Sequence, residues 1–153
     1  MLKKVDLLLI AITSPIKIGV YVDGKLFETI ESKENSSDAL PVLFKKLFQK
    51  YEPQNLFYAN GPGSFMAIKV AYIFLKSISI LKNIPLFATD AFYFNENQPI
   101  KAIGKLYFVK IVSEIKTQKL EIAPEVNFRL RDTLDYNEFS INSTPLYMIG
   151  AVG

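Results

Sequence analysis

The chain has 153 residues, half of them hydrophobic and 22% charged, with 18 Lys+Arg against 15 Asp+Glu for a net charge of +3. That balance excludes wholesale disorder and suits a chain with a core of its own, and the charge bias is too mild to mark a nucleic-acid binder. Cys, His and Trp are absent. Disulfides, thiolate zinc sites, cysteine nucleophiles, Ser-His triads and His-ligated metals are thereby excluded, leaving carboxylates, Lys, Tyr and backbone dipoles for any chemistry.

Met1-Leu2-Lys3-Lys4 before the apolar Val5–Ile12 has the outline of a signal peptide, but Asp6 lies inside it and no small-residue cleavage site follows. Phe65–Leu81 is interrupted by Lys69 and Lys76, short of the ~20 apolar residues of a membrane span. The expectation is a soluble, cytoplasmic chain.

Leu7–Ile12 reads as a strand buried on both faces. Ile16, Ile18, Val20 and Val22 alternate with other residues, and Asp23-Gly24 then separates them from Lys25–Ile30, which predicts an antiparallel hairpin. Ser36, Ser37 or Asp38 can cap a helix that carries Pro41 in its first turn, runs to about Tyr51 and stops at Pro53. Its apolar face is Leu40, Leu43, Phe44, Leu47, Phe48 and Tyr51, at helical spacing. Leu56–Ala59 reads as a short strand, Asn60–Ser64 as a tight connection with Ser64 as N-cap, Phe65–Lys82 as a long helix, and Leu86–Ala88 as another strand. Asp90 suits the cap of a helical turn, and Asn95–Pro99 is a polar break. Beyond it the chain reads as mostly β: Leu106–Val112, a turn at Lys116-Thr117-Gln118, a return at Leu120–Ala123, alternation over Val126–Leu130, and a last strand at Leu146–Ile149. The fold class this predicts is α/β, a mixed sheet with helices on one or both faces.

Helix 65–82 is too apolar for one neighbour. Val70–Leu75 has no polar side chain except the Tyr72 hydroxyl, and six consecutive helical residues point in all directions. Lys69 and Lys76 share one narrow stripe, with Tyr72, Ile73 and Ile80 close to it. Either helix 38–51 covers the surplus or another protein does. The two readings coexist if both helices form one surface.

Gly61-Pro62-Gly63-Ser64 could present backbone N–H groups to an anion, but it lacks the glycine spacing of a Rossmann loop and the Lys-Ser/Thr ending of a P-loop. The longer string Gly61-Pro62-Gly63-Ser64-Phe65-Met66-Ala67-Ile68-Lys69-Val70 resembles the Gly-Pro-Gly-Ser-Phe-Thr-Gly-Leu-Arg-Ile signature of the bacterial TsaB (YeaZ) family, accessory proteins of tRNA threonylcarbamoyladenosine synthesis. Leu9–Ser14 is similar to that family's opening strand, Ser37–Leu43 to its Ser-Glu-x-Leu-Leu-Pro helix start, and Asn83–Ala88 to the strand after its long helix. The similarity covers about residues 5–95. Ile12 stands where the family has Asp, and Met66, Ala67 and Lys69 replace Thr, Gly and Arg.

The resemblance implies an actin-like, RNase H-like (ASKHA) lobe at 1–95 and a reduced β-rich lobe at 96–153. It implies a non-catalytic scaffold that binds the paralogous transferase TsaD, with the ATPase TsaE joining them and tRNA met only through the complex. It implies no metal and no cofactor. The partner interface would use Leu40, Leu43, Phe44, Leu47, Lys69, Tyr72, Ile73, Lys76 and Ile80, and a homodimer in isolation would use the same helices. The superfamily's old peptidase label has no support in a chain without His. Two alternatives stay open: a nucleotide-binding enzyme of the same fold, which the anion-ready turn motivates and Ile12 opposes, and a direct tRNA-binding module, motivated by Lys45, Lys46, Lys50, Lys69, Lys76 and Lys82, which are otherwise a solvated helix face.

Overall fold

The computed structural model describes residues 1–125 and 127–147. β1 (Lys3–Ile10), β2 (Ile16–Val22) and β3 (Lys25–Ser32) form an antiparallel meander. Asp23 and Gly24 turn it with φ of 51° and 78°, the left-handed pair that a two-residue hairpin demands. Opposite Val20 and Tyr21, Phe27 is an extra residue on β3, a bulge that sends Leu26 to one face of the sheet and Glu28 and Ile30 to the other.

α1 (Ser36–Lys50) is capped by Asn35, one residue before the predicted candidates. The Asn35 amide oxygen accepts from the Asp38 N–H at 3.0 Å and the Ser37 hydroxyl at 2.8 Å, and Asp38 lies in the first turn, where the helix dipole favours a carboxylate. Pro41 consequently sits deeper in the helix than predicted; the carbonyl it leaves unpaired, four residues back, belongs to exposed Ser37. Lys50 ends the helix. Pro53 does not stop it but lies within β4 (Tyr51–Ala59), which starts well before the predicted Leu56. The ladder explains this: Val5 pairs with Pro53 and Asp6 with Asn55, so Gln54 is bulged out and the missing proline N–H falls at the irregularity.

β4 runs parallel to β1. α2 (Phe65–Lys82) then crosses to β5 (Leu86–Thr89), parallel to β4. Ser64 caps α2, its hydroxyl accepting from the Ala67 N–H at 3.4 Å. Asn83 closes the helix in the left-handed conformation, φ 54°. The sheet order is β3-β2-β1-β4-β5.

Both helices cover one face of this sheet. Leu7, Leu9, Ile18, Val20, Leu56 and Tyr58 meet Leu40, Phe44, Leu47, Ala71 and Leu75 there, all buried. Each such Leu or Phe contributes about 1.5–3 kcal/mol on leaving water. The other face holds Leu8, Ile10, Tyr21 and Phe57 and is covered by the later chain. Asp90 caps a short 3₁₀ turn, Ala91–Phe94, whose Ala91, Phe92 and Phe94 press on this face.

A second sheet of β6 (Ile100–Lys101), β7 (Leu106–Ile111) and β8 (Glu114–Lys119) follows, antiparallel throughout. It turns at Val112, φ 59°, not at Lys116-Thr117-Gln118, which lie inside β8. The run Glu114–Lys119 is mostly exposed, so its polar residues are the outward side of an edge strand, which composition alone reads as a turn. No strand forms over residues 127–130, although Phe128 is buried; Val126 lies outside the described residues. Residues 146 and 147 are not strand, and Met148 and Ile149 also lie outside the described residues.

The segment from Phe128 to Tyr147 straps the first sheet. Lys17 donates to the Phe128 carbonyl at 2.6 Å, Tyr21 to the Arg131 carbonyl at 2.6 Å, and Ser140 pairs with Ala88 on β5. The Arg131 guanidinium donates to the Tyr93 carbonyl at 2.7 Å and lies over the Tyr93 ring.

Candidate functional site

The Gly-Pro-Gly turn joins β4 to α2 at the carboxyl ends of the parallel strands. Gly61, Pro62 and Gly63 are buried; Ser64 and Phe65 are exposed. Gly61 has φ 115°, and a Cβ there would lie 2.9 Å from Ile68 Cδ1 and 3.0 Å from the Leu146 carbonyl oxygen. The Gly61 carbonyl accepts from the Ala91 N–H at 2.8 Å, and the preceding Asn60 is tied on both sides, to Thr89 and Leu146 by its backbone and to the Thr144 carbonyl by its amide. Ring contact between Phe65 and Tyr147, 4.7 Å between centroids, closes the outer edge. The turn is thus a packed joint.

Beside it, a cleft of about 480 Å³ opens between the start of α1 and the start of α2, lined by residues 11–14 and 33–37 with Ser64, Met66 and Val70. Ile12, where the resemblance puts an Asp, is buried at the cleft wall. Among the described residues, no group of His, Cys, Asp and Glu is placed to hold a metal ion.

The helical face is built differently. Leu40, Phe44 and Leu47 point into the sheet and are buried, and Leu43 is half-buried, so these side chains orient α1 on the sheet and present little surface outward. Tyr72 is half-buried on the flank of α2 that faces Tyr58, with ring centroids 6.3 Å apart. Ile73 and Ile80 point outward, 53% and 70% exposed, and Lys69 and Lys76 flank them. The outward stripe also includes Met66, 63% exposed, and Leu81, 83% exposed. Met66, Ile73 and Ile80 fall every seventh residue, a spacing legible in the sequence that marks one helix face.

Next to this stripe runs a groove between α1 and α2 of about 510 Å³, floored by Phe44, Phe48, Phe74 and Ile78. Phe44 and Phe74 meet edge to face at 5.2 Å, so Phe74 is the half-buried neighbour of outward Ile73. The Lys82 ammonium lies 4.7 Å from the Phe48 ring centroid. Helix α1 therefore covers one flank of α2 and leaves the outer flank bare.

Away from this face, α1 is pinned to β3. Lys50 donates to Glu28 at 3.1 Å, and the Tyr51 hydroxyl donates to the same carboxylate. These two hydrogen bonds, that of Tyr51 first, hold Glu28 below the ordinary carboxylate value. Burial pushes the Tyr58 hydroxyl well above the phenol range, and it donates a hydrogen bond to the Ser143 carbonyl at 2.5 Å.

Fold and surface together define a mixed α/β protein with a two-helix layer on one face of its sheet and an apolar stripe, flanked by lysines, on the outer flank of α2. Its fold resembles that of YeaZ. YeaZ from Pseudomonas aeruginosa superposes with a TM-score of 0.60 at 11% identity, over 76% of this chain and 65% of that one. A second solved structure, of an uncharacterized protein with similarity to peptidase YeaZ from Pseudomonas aeruginosa, gives a TM-score of 0.55 at 13% identity, over 76% of this chain and 64% of that one. The chain thus spans less than two thirds of each of these structures. No family model and no curated protein matches the sequence. Among the described residues, no helix is long and apolar enough to cross a membrane.

Proposed function

We propose that this chain is a TsaB-like accessory subunit of tRNA threonylcarbamoyladenosine synthesis, a scaffold without chemistry of its own that docks the TsaD transferase. The observation that carries the reading is the bare outer flank of α2, Met66, Ile73, Ile80 and Leu81 beside the α1–α2 groove, on a fold that resembles YeaZ. Contiguous apolar surface of this kind marks a protein interface more often than it marks idle skin. On this reading the first sheet and its helices are an ASKHA-type lobe and 96–153 its reduced second lobe. TsaE and tRNA are then reached through the assembled complex in the cytoplasm.

The test is co-purification of the tagged chain with the transferase from the same cell. Ile73→Glu and Ile80→Glu should each abolish recovery while circular dichroism stays unchanged. Retention of the transferase by both variants would overturn the proposal.

The cleft beside Ser64 favours a second reading, nucleotide binding, because the first turns of α1 and α2 both border it. Its apolar wall at Ile12, Met66 and Val70 weighs against that reading. Calorimetry of the chain with ATP and Mg²⁺ separates the two, since tight binding would promote the second.

A further inference from the structure

The charges around the bare helical face say what kind of partner fits it. α1 and α2 carry six lysines, at 45, 46, 50, 69, 76 and 82, and a single carboxylate, Asp38. Asp38 sits at the N-terminal end of α1, where the Asn35 amide donates to it at 3.0 Å. Lys50 is spent on Glu28. Among the described residues, Lys45, Lys46, Lys69, Lys76 and Lys82 have no carboxylate within ion-pair distance. Lys69 and Lys76 line one side of the Met66–Ile73–Ile80 stripe. Lys45 and Lys82 stand at the groove on its other side.

This face is therefore an apolar band between two rows of unpaired cations. Resting on the docking reading above, we propose that its occupant is a heterologous helical partner whose apolar ridge is edged by Asp and Glu, and that a second copy of this chain is disfavoured there. A two-fold pairing through α2 would set lysine rows against lysine rows, with no carboxylate on α2 to interleave and only Asp38, bound by the Asn35 amide, on α1. Water leaves the centre of such an interface, and like charges repel more strongly as the local dielectric falls. Carboxylates on the partner reverse the sign at the same positions. The apolar band supplies adhesion, and the lysine rows supply the choice of partner.

Two measurements on the full chain test this. The first is sedimentation velocity at low and high salt. Exposed charges more than about 10 Å apart are screened at 0.1 M salt, and less distant ones at higher salt. The chain should be monomeric at about 50 mM salt, and any dimer should grow as salt rises, as like-charge repulsion is screened. The second is binding of a synthetic amphipathic helix with a leucine stripe flanked by glutamates, compared with its isomer flanked by lysines. The glutamate helix should bind at least tenfold more tightly at low salt. The preference should shrink at high salt, and Lys69→Glu with Lys76→Glu should invert it. Equal binding of both helices, or a tight dimer at low salt that the double variant leaves unchanged, would overturn the proposal. A clear glutamate preference without capture of the transferase would discard the proposed function and keep this inference. Capture of the transferase with no salt dependence would do the reverse.

Discussion

Gly63 and Ile12 touch so closely that a Cβ on the glycine would lie 2.3 Å from Ile12 Cγ2. The segment just past β1 and the turn into α2 are thereby packed side chain against backbone. Gly63→Ala should destabilise the fold by about 1–3 kcal/mol, the usual cost of overpacking. Ile12→Ala should cost about 2–5 kcal/mol alone, through the cavity it leaves. The double variant should be more stable than the sum predicts, because removal of Cγ2 makes room for the new methyl. Urea midpoints of the four proteins give this coupling directly; strict additivity would refute the contact.

Ile73 and Phe74 are neighbours in sequence with opposite duties. Ile73→Ser, on the outer flank, should shift stability by no more than about 0.5 kcal/mol. Phe74→Ala should cost about 2 kcal/mol, less than a fully buried Phe because the ring is half-exposed in the groove. Thermal melts of the two variants, read with circular dichroism, should separate them clearly.

Glu28 predicts the acid limb of the stability curve. Its folded value is depressed below the ordinary 4.5 by the Tyr51 and Lys50 hydrogen bonds. A depressed carboxylate stabilises the fold above its unfolded value and loses that contribution as pH falls through the folded one. Stability should therefore decline from about pH 4.5 downward, and Glu28→Gln should flatten that part of the decline. Urea midpoints between pH 5 and pH 2 measure it. An identical acid limb in the variant would remove Glu28 from the account.

Tyr136, whose hydroxyl donates to Asp6, contributes to the opposite limb. Burial, then the hydrogen bond to the Asp6 carboxylate, pushes its pKa from 10.0 up to about 12. A raised value means the contribution is complete below the unfolded pKa and is lost as pH climbs through the folded one. The window is thus pH 10 to 12. Tyr136→Phe should cost about 1–2 kcal/mol at neutral pH, the loss of one hydrogen bond to a charged group on a half-exposed ring. It should also reduce the loss of stability inside that window by the share of Tyr136, leaving the share of Tyr21, Tyr51, Tyr58 and Tyr93, whose hydroxyl pKa values burial also raises, as alkaline unfolding followed by tyrosine absorbance would show.

What could be read from the sequence was local. Asp23-Gly24 carries its turn in two residues, and Ser64 its cap in four, so both were legible without any partner. The stripe of α2 was legible as an excess of apolar residues. Ile73 and Ile80 could be placed beside the Lys69–Lys76 stripe, but which flank is covered could not be read, because that depends on where α1 lies. Pro53 misled because a proline inside a strand is tolerated only at a bulge, and the bulge is set by Val5 and Asp6, about fifty residues earlier. Residues 114–119 misled because an edge strand with one wet side has the composition of a loop. Residues 128–147 defeated the reading altogether, since their partners Lys17, Tyr21, Asn60 and Ala88 lie far back in the chain.

That strap also sets an order of events in the cell. During synthesis β1 to β5 and both helices leave the ribosome before Phe128 and Leu134 exist to close the second face of the sheet. Until then Leu8, Ile10, Tyr21 and Phe57 lack part of their cover, and a nascent chain with that surface open is a natural client for a holdase chaperone.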